Sequence, residues 1–268
     1  MRAYHLETKN DLGILHLHAS NANAMNDRVL EAIATGLQET RAKNLNGLVL
    51  TGHDRFFSAG LDLIEVYQFD REEMRRFILH WETVMIELFG FPMPVVAAVN
   101  GAAAAGGCIM ALACDYRVMA EDALIGMTGI RLGISLPAAA LEIAREVVPA
   151  TNLAYVLYSG KLFESGEALK LGLINEVVSQ ENLIASALAR LREFTQHNGT
   201  PAASLKSALR QNALARIKQS AEELREKFLE IWFSPAARRG VEEMRNELLK
   251  ARIVMICGLT LIVKLLIL

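Results

Sequence analysis

Apolar and polar residues alternate from Ile14 to His18, the period of a half-buried strand. At Asn26 the period lengthens: Val29, Leu30, Ile33 and Leu37 form one helical stripe, with Asn26 or Asp27 placed to cap the first turn. Leu48 to Thr51 is a short apolar run closed by Gly52, which suits a strand covered on both faces. Met74, Phe77, Ile78, Trp81, Val84 and Leu88 recur at intervals of three and four and predict an amphipathic helix, ended by Pro92 and Pro94. Val95 to Val99 then reads as a buried strand. Gly101, Gly106 and Gly107 bracket an alanine-rich segment leading into a short helix over 108–114, followed by strands at 116–119 and 124–127. Ser165 to Leu171 predicts a helix stopped by Gly172 before a strand over 173–178. From about Asn182 to Lys250 no strand pattern appears, and Pro201 and Pro235 divide three or four helical stretches.

This order divides the chain into an α/β core over 1–180, a helical region over 181–252 and an apolar tail over 253–268. The tail carries no charge from Ile253 to Val263, before Lys264 interrupts it. It falls short of the about 20 apolar residues that a membrane span needs. Burial at a subunit contact, or a segment foreign to the fold, accounts for it better than membrane contact does.

Composition narrows the function classes. The 268 residues are 52% hydrophobic and 22% charged, which fits a packed globular protein of one large domain or two modest ones. With 28 basic and 30 acidic residues the formal net charge is −2, so no global positive field exists to hold a nucleic acid. Cys108, Cys114 and Cys257 match neither a disulfide framework nor a metal-site spacing, and Met1 to Lys9 lacks the apolar block of a secretion signal. A reducing, cytoplasmic setting is the expectation.

Two glycine-containing segments, 57–63 (Phe-Ser-Ala-Gly-Leu-Asp-Leu) and 100–108 (Asn-Gly-Ala-Ala-Ala-Ala-Gly-Gly-Cys), each follow a strand. Glycine permits turns that leave N–H groups unpaired, and Gly106 stands near a helix N-terminus that favours negative charge. Two such donors on one oxygen make an oxyanion hole; a pair of plain structural turns is the competing reading. Neither segment has dinucleotide or P-loop spacing.

The two segments, about 45 residues apart, resemble the crotonase (enoyl-CoA hydratase/isomerase) superfamily over about Leu12 to Val178. Together with 105–108, 111–112, 114–120 and Leu132-Gly133-Ile134, they are most similar to mitochondrial-type Δ3,Δ2-enoyl-CoA isomerases. The resemblance implies an α/β fold, a spiral of ββα units with a C-terminal helical trimerisation region, in a homotrimer or dimer of trimers. It implies an acyl-CoA substrate, with no cofactor beyond the coenzyme A of that substrate, and no metal. Carried over by position, the oxyanion donors are the N–H groups of Leu61 and Gly106. The coenzyme A contact falls on Ala22, Asn23, Ala24 and Met25, where the family's preceding Arg-Pro is Ala19-Ser20. Ala59, Gly60, Asp62, Leu63, Ala105 and Gly129 complete the implied substrate site.

The departures lie at the acid–base positions. The two family glutamates are replaced by Ile109 and Gly129. A general acid or base must reach within about 3 Å of its proton, so ordinary two-glutamate hydration is not expected and the usual isomerase base is missing. A recruited base, a reaction needing only the oxyanion hole, such as decarboxylation or thioester cleavage, or a binder without turnover remain open. Glu65, Tyr67, His80, Glu82 and Glu142 lie near the two motifs. The three glutamates read as solvated helix-face charges and His80 as a surface or satisfied histidine. Asp115 reads as a turn or ion-pair residue, His16 with His18 as a polar strand face, and Cys108 as packing.

Overall fold

The computed structural model describes residues 3–19, 22–197 and 199–256. Two strands, β1 (Tyr4–Lys9) and β2 (Leu12–Leu17), form an antiparallel hairpin, with His5 directly opposite His16. Helix α1 (Asp27–Ala42) follows; of its two possible caps Asn26 is the one used, its Oδ1 accepting from the Val29 N–H at 3.2 Å. The predicted stripe of Val29, Leu30, Ile33 and Leu37 is buried.

From there the chain repeats one pattern, in which each turn gives a strand to each of two sheets; in the first three turns a helix follows the two strands, and in the last a helix separates them. The turns begin with β3 (Gly47–Thr51) and β4 (Phe56–Ser58), then the single-turn α2 (Leu63–Val66) and the long α3 (Arg71–Phe89). Next come β5 (Val95–Val99), β6 (Ala102–Ala104) and α4 (Gly106–Ala113). A third turn contains β7 (Tyr116–Ala120), β8 (Leu124–Gly126), α5 (Ala138–Val147) and α6 (Ala150–Ser159). The last has β9 (Phe163–Glu164), α7 (Ser165–Leu171) and β10 (Glu176–Val178). The first sheet runs β1-β2-β3-β5-β7-β10, parallel from β2 onward, and the second runs β4-β6-β8-β9. This is the ββα spiral implied by the resemblance.

Strand β5 has the predicted bounds and is buried at all five positions. The second sheet is where pattern reading falls short, because Ala102–Ala104 has the composition of a helix yet pairs with both β4 and β8. The predicted strand over 173–178 shortens to β10, since Asn175 instead spends its side chain on the Arg117 N–H at 3.0 Å.

Three helices follow: α8 (Leu183–Thr195), α9 (Gly199–Trp232) and α10 (Pro235–Ile256). Pro201 sits in the first turn of α9 and Pro235 opens α10, positions where a missing N–H costs nothing. Helix α8 lies on the first sheet and buries Leu183, Ala187, Leu188 and Leu191 in the same core as β3 and β5. Helix α9 packs along α5 and α3. The rest of the apolar tail, 257–268, lies outside the described residues. Among the described residues no helix is long and apolar enough to cross a membrane.

Candidate functional site

The first strand-to-helix turn and the Gly60 loop are joined by one buried side chain. Asn23 adopts positive φ (45°), a conformation asparagine tolerates better than most residues. Its Nδ2 donates to the Leu17 carbonyl at 2.9 Å and the Phe57 carbonyl at 3.3 Å, while its Oδ1 accepts from the Ala19 N–H. Ser58 Oγ donates back to the Asn23 carbonyl at 2.7 Å, and the Ala59 N–H to the Ala22 carbonyl at 3.0 Å. Met25 then pairs with Leu61 as an isolated parallel bridge, through Met25 N–H to Gly60 O (2.7 Å) and Asp62 N–H to Met25 O (2.9 Å).

The second glycine segment meets the first at Gly60. With φ at +84°, Gly60 brings its backbone so near that a Cβ there would stand 2.8 Å from the Ala104 carbonyl oxygen and 3.3 Å from the Gly106 nitrogen. Gly106 is the first residue of α4, and Ala105 before it is held at φ 48°, ψ −110°. The Leu61 N–H and the Gly106 N–H have no hydrogen-bond acceptor among the described residues. Both residues line a cavity of about 910 Å³.

The sequence-derived site residues divide by depth. Ala22, Ala24, Ala59 and Ala105 line the cavity with small side chains, as do Asp62, Leu63 and Gly129. Asn23, Met25 and Gly60 are buried behind that wall, where they hold the two loops. Asp62 Oδ1 caps α2 by accepting from the Glu65 N–H at 3.3 Å. Ile109 lines the cavity at one lost glutamate position. At the other, Gly129 opens the 3-10 turn Gly129–Leu132, and its Cβ position is clear of other atoms to 3.9 Å. The remaining wall includes the apolar residues Ile78, Trp81, Leu136, Ala140 and Phe228, the cations Arg28 and Arg131, and the anion Glu65.

Two of the glutamates are not the solvated charges their spacing predicted. Glu82 is 2% exposed; its Oε2 accepts from Arg225 Nε at 3.0 Å and Nη2 at 2.9 Å, and its Oε1 from the Ala139 N–H at 3.3 Å. Burial holds the Glu82 carboxyl above the usual carboxylate range, outweighing the Ala139 N–H and Arg225, which pull it down. Glu142 is buried between Arg145 and Arg216, with 2.6 Å to Arg216 Nε. Both errors share a cause, since Arg225 and Arg216 lie on α9, far along the chain. Glu65 is exposed as expected and accepts from Asn26 Nδ2 at 2.9 Å. His80 is satisfied by Asp27 at 2.9 Å, and Tyr67 lies under the Arg238 guanidinium. Asp115 is an ion-pair residue, held by Lys206 and Arg210 at 2.7 Å each. Cys108 is buried, and that burial pushes its thiol up to about 12. His16 stacks on His5 across the hairpin, with ring centroids 6.2 Å apart.

The family model for enoyl-CoA hydratase/isomerase matches residues 7–250. A probable enoyl-CoA hydratase of Bacillus subtilis is 29% identical over 245 residues, covering 90% of this chain and 95% of that protein. The mouse mitochondrial enoyl-CoA delta isomerase 1 is 31% identical over 188 residues, 68% of this chain and 65% of the mouse protein. The crystal structure of human mitochondrial delta3-delta2-enoyl-CoA isomerase superposes with a TM-score of 0.88 at 22% identity, covering 92% of this chain and 98% of that one, which is a likeness of fold. A match of this extent, on a ββα spiral with these two glycine loops in contact, identifies the chain as a member of the enoyl-CoA hydratase/isomerase family of the crotonase superfamily.

Proposed function

We propose that the protein binds an acyl-CoA thioester with its carbonyl oxygen between the Leu61 and Gly106 N–H groups, and stabilises the enolate formed when a bond at the α carbon is broken. The observation that carries this reading is the pair of unpartnered donors on two abutting loops at one cavity wall. In a water-poor site, donors fixed in advance stabilise charge that develops on the oxygen, each worth about 3 to 4 kcal/mol. The N-terminus of α4 adds its dipole at the same place.

Ala22, Ala24 and Ala59 leave room for coenzyme A to lie along the first turn, and Arg28 with Arg131 supplies cations at the same cavity for its phosphates. Asn23, Met25 and Gly60 act behind the wall, Asp62 and Leu63 shape its rim, and Ala105 and Gly129 border the reacting carbons. The acyl chain runs along Ile78, Trp81, Ala140 and Phe228. The chemistry uses no cofactor beyond the coenzyme A of the substrate, because the two N–H groups stabilise the charge that develops on the thioester oxygen. Subunits associate as a homotrimer or dimer of trimers; Leu205 and Leu209, one turn apart on α9 and 65% and 72% exposed, support a contact there. Sedimentation velocity checks it.

A second reading is favoured by Ile109 and Gly129: with no carboxylate at either position, bond cleavage is driven by the substrate itself, as in loss of carbon dioxide from a 2-carboxyacyl-CoA, or by water adding to the thioester carbonyl with departure of the coenzyme A thiol. A third has the pocket retained and turnover lapsed. Binding of a saturated acyl-CoA by calorimetry, together with turnover of 3-enoyl-CoA, 2-enoyl-CoA and a 2-carboxyacyl-CoA, separates them. Isomerised or hydrated product supports the first reading, carbon dioxide or free coenzyme A the second, and binding without product the third. No binding at all overturns every one.

A further inference from the structure

Met25 touches both donor loops, by different means. Its backbone is hydrogen-bonded on either side of Leu61, to the Gly60 carbonyl and the Asp62 N–H. Its sulfur stands 3.1 Å from where a Gly106 Cβ would be, and accepts a hydrogen bond from the Trp81 indole N–H at 3.1 Å. The indole nitrogen is itself 3.6 Å from that Cβ position. Met25 and Trp81 are 0% and 3% exposed. Glu82, the next residue on α3, is fixed to Arg225 of α9 and to the Ala139 N–H of α5, which anchors the helix that carries Trp81.

The turn that presents the Gly106 N–H needs such support. Ala105 is a residue with a Cβ at positive φ, a state that persists only when its surroundings enforce it. The Ala105 N–H is anchored to the Gly126 carbonyl at 2.8 Å, which fixes the entry to the turn, and the Met25 sulfur fills the space at its back.

We propose that Met25 is the positioning residue that keeps the Leu61 and Gly106 N–H groups aimed at one oxygen, with Trp81 fixing the sulfur in place. The proposal rests on the oxyanion reading above. Its energetic leverage is geometric, since displacing a reacting or stabilising group by about 1 Å costs on the order of a hundredfold.

The test uses the full-length protein and two ligands. A saturated acyl-CoA reports ground-state binding, and acetoacetyl-CoA reports the oxyanion site, because its bound enolate absorbs in the near ultraviolet. Met25→Leu keeps the bulk and removes the sulfur acceptor; Trp81→Phe removes the donor of the same hydrogen bond. Both keep most of the packing, and thermal melts verify folding. The expected result is about a tenfold loss of the bound-enolate fraction in each single variant, saturated acyl-CoA affinity within about threefold of wild type for Met25→Leu, whose side chain lies behind the cavity wall, and a double variant that loses no more enolate than either single one. Unchanged enolate formation in both singles overturns the proposal. So does a parallel loss of both ligands in Met25→Leu, which marks a role in packing alone. Absence of an enolate in the wild type instead overturns the oxyanion reading, and the proposal falls with it.

Discussion

Replacing Gly60 with alanine perturbs the contact on which the site depends. The new methyl would stand 2.8 Å from the Ala104 carbonyl oxygen, against backbone rather than a flexible side chain, and ordinary contact begins at 3.4 Å. The loops must therefore separate by about 0.6 Å, a fraction of the 1 Å displacement that costs on the order of a hundredfold. The left-handed φ of +84° adds about 1 to 2 kcal/mol of strain for any residue with a Cβ. The expected outcome is a stability loss of about 2 kcal/mol, or about 4 to 8 °C in Tm for a chain of this size. Enolate formation from acetoacetyl-CoA should fall by at least about tenfold. Gly129→Ala is the control on the same cavity: its Cβ meets nothing closer than 3.9 Å, so both quantities should stay near wild type. Calorimetry and near-ultraviolet titration measure the pair of effects. A Gly60→Ala protein with unaltered Tm and unaltered enolate signal would refute the claim that the two loops are in obligatory contact.

The open space at Gly129 makes Gly129→Glu sterically acceptable, and a carboxylate there should bring or raise conversion of 3-enoyl-CoA to 2-enoyl-CoA by about 10² to 10⁴-fold, followed by absorbance of the conjugated thioester; a folded variant with no such gain argues that the reacting carbons lie elsewhere. Arg225→Met leaves the buried Glu82 charge unpaired and should cost about 3 to 5 kcal/mol in urea melts, whereas Glu82→Met with Arg225→Met should stay within about 2 kcal/mol of wild type or exceed it. Because the folded Glu82 pKa lies above its ordinary 4.5, its contribution is greatest below 4.5 and is lost as pH rises through the folded value, so the wild type should lose ground to the double variant as the pH is raised above 4.5. Cys108 and Cys114, both buried and pushed up to about 12, should resist iodoacetamide at about pH 8 in the native protein and react after denaturation, as peptide mass mapping would read; rapid native labelling of either contradicts their burial.

Much of the fold was legible because its strands are short apolar runs with clear punctuation. Val95–Val99 is bounded by Pro94 and Asn100, and α7 by Gly172, so periodicity and stop signals agreed. In the second sheet the strand expected at 124–127 is found as β8, but β4 and β6 stayed hidden because they are three residues each, too short for a period to show, and β6 is all alanine. The donors were legible only as glycine turns; that Gly60 and Gly106 abut depends on pairing of β4 with β6, which no local signal carries. Glu82 and Glu142 were misread because a carboxylate's partner decides its burial, and those partners are 143 and 74 residues away. Met25 illustrates the converse. Its position matched a coenzyme A contact, yet its side chain is packed between Trp81 and Gly106, where only the assembled loops reveal its use.

The central claim is tested most directly by the ionisation of acetoacetyl-CoA on the wild-type protein. Two aligned amides should lower the pKa of the bound ligand by at least about 2 units relative to the free one, equivalent to about 2.7 kcal/mol, so that its near-ultraviolet enolate band appears at correspondingly lower pH. A ligand that binds and ionises at the same pH as in solution, or that fails to bind, would contradict the account.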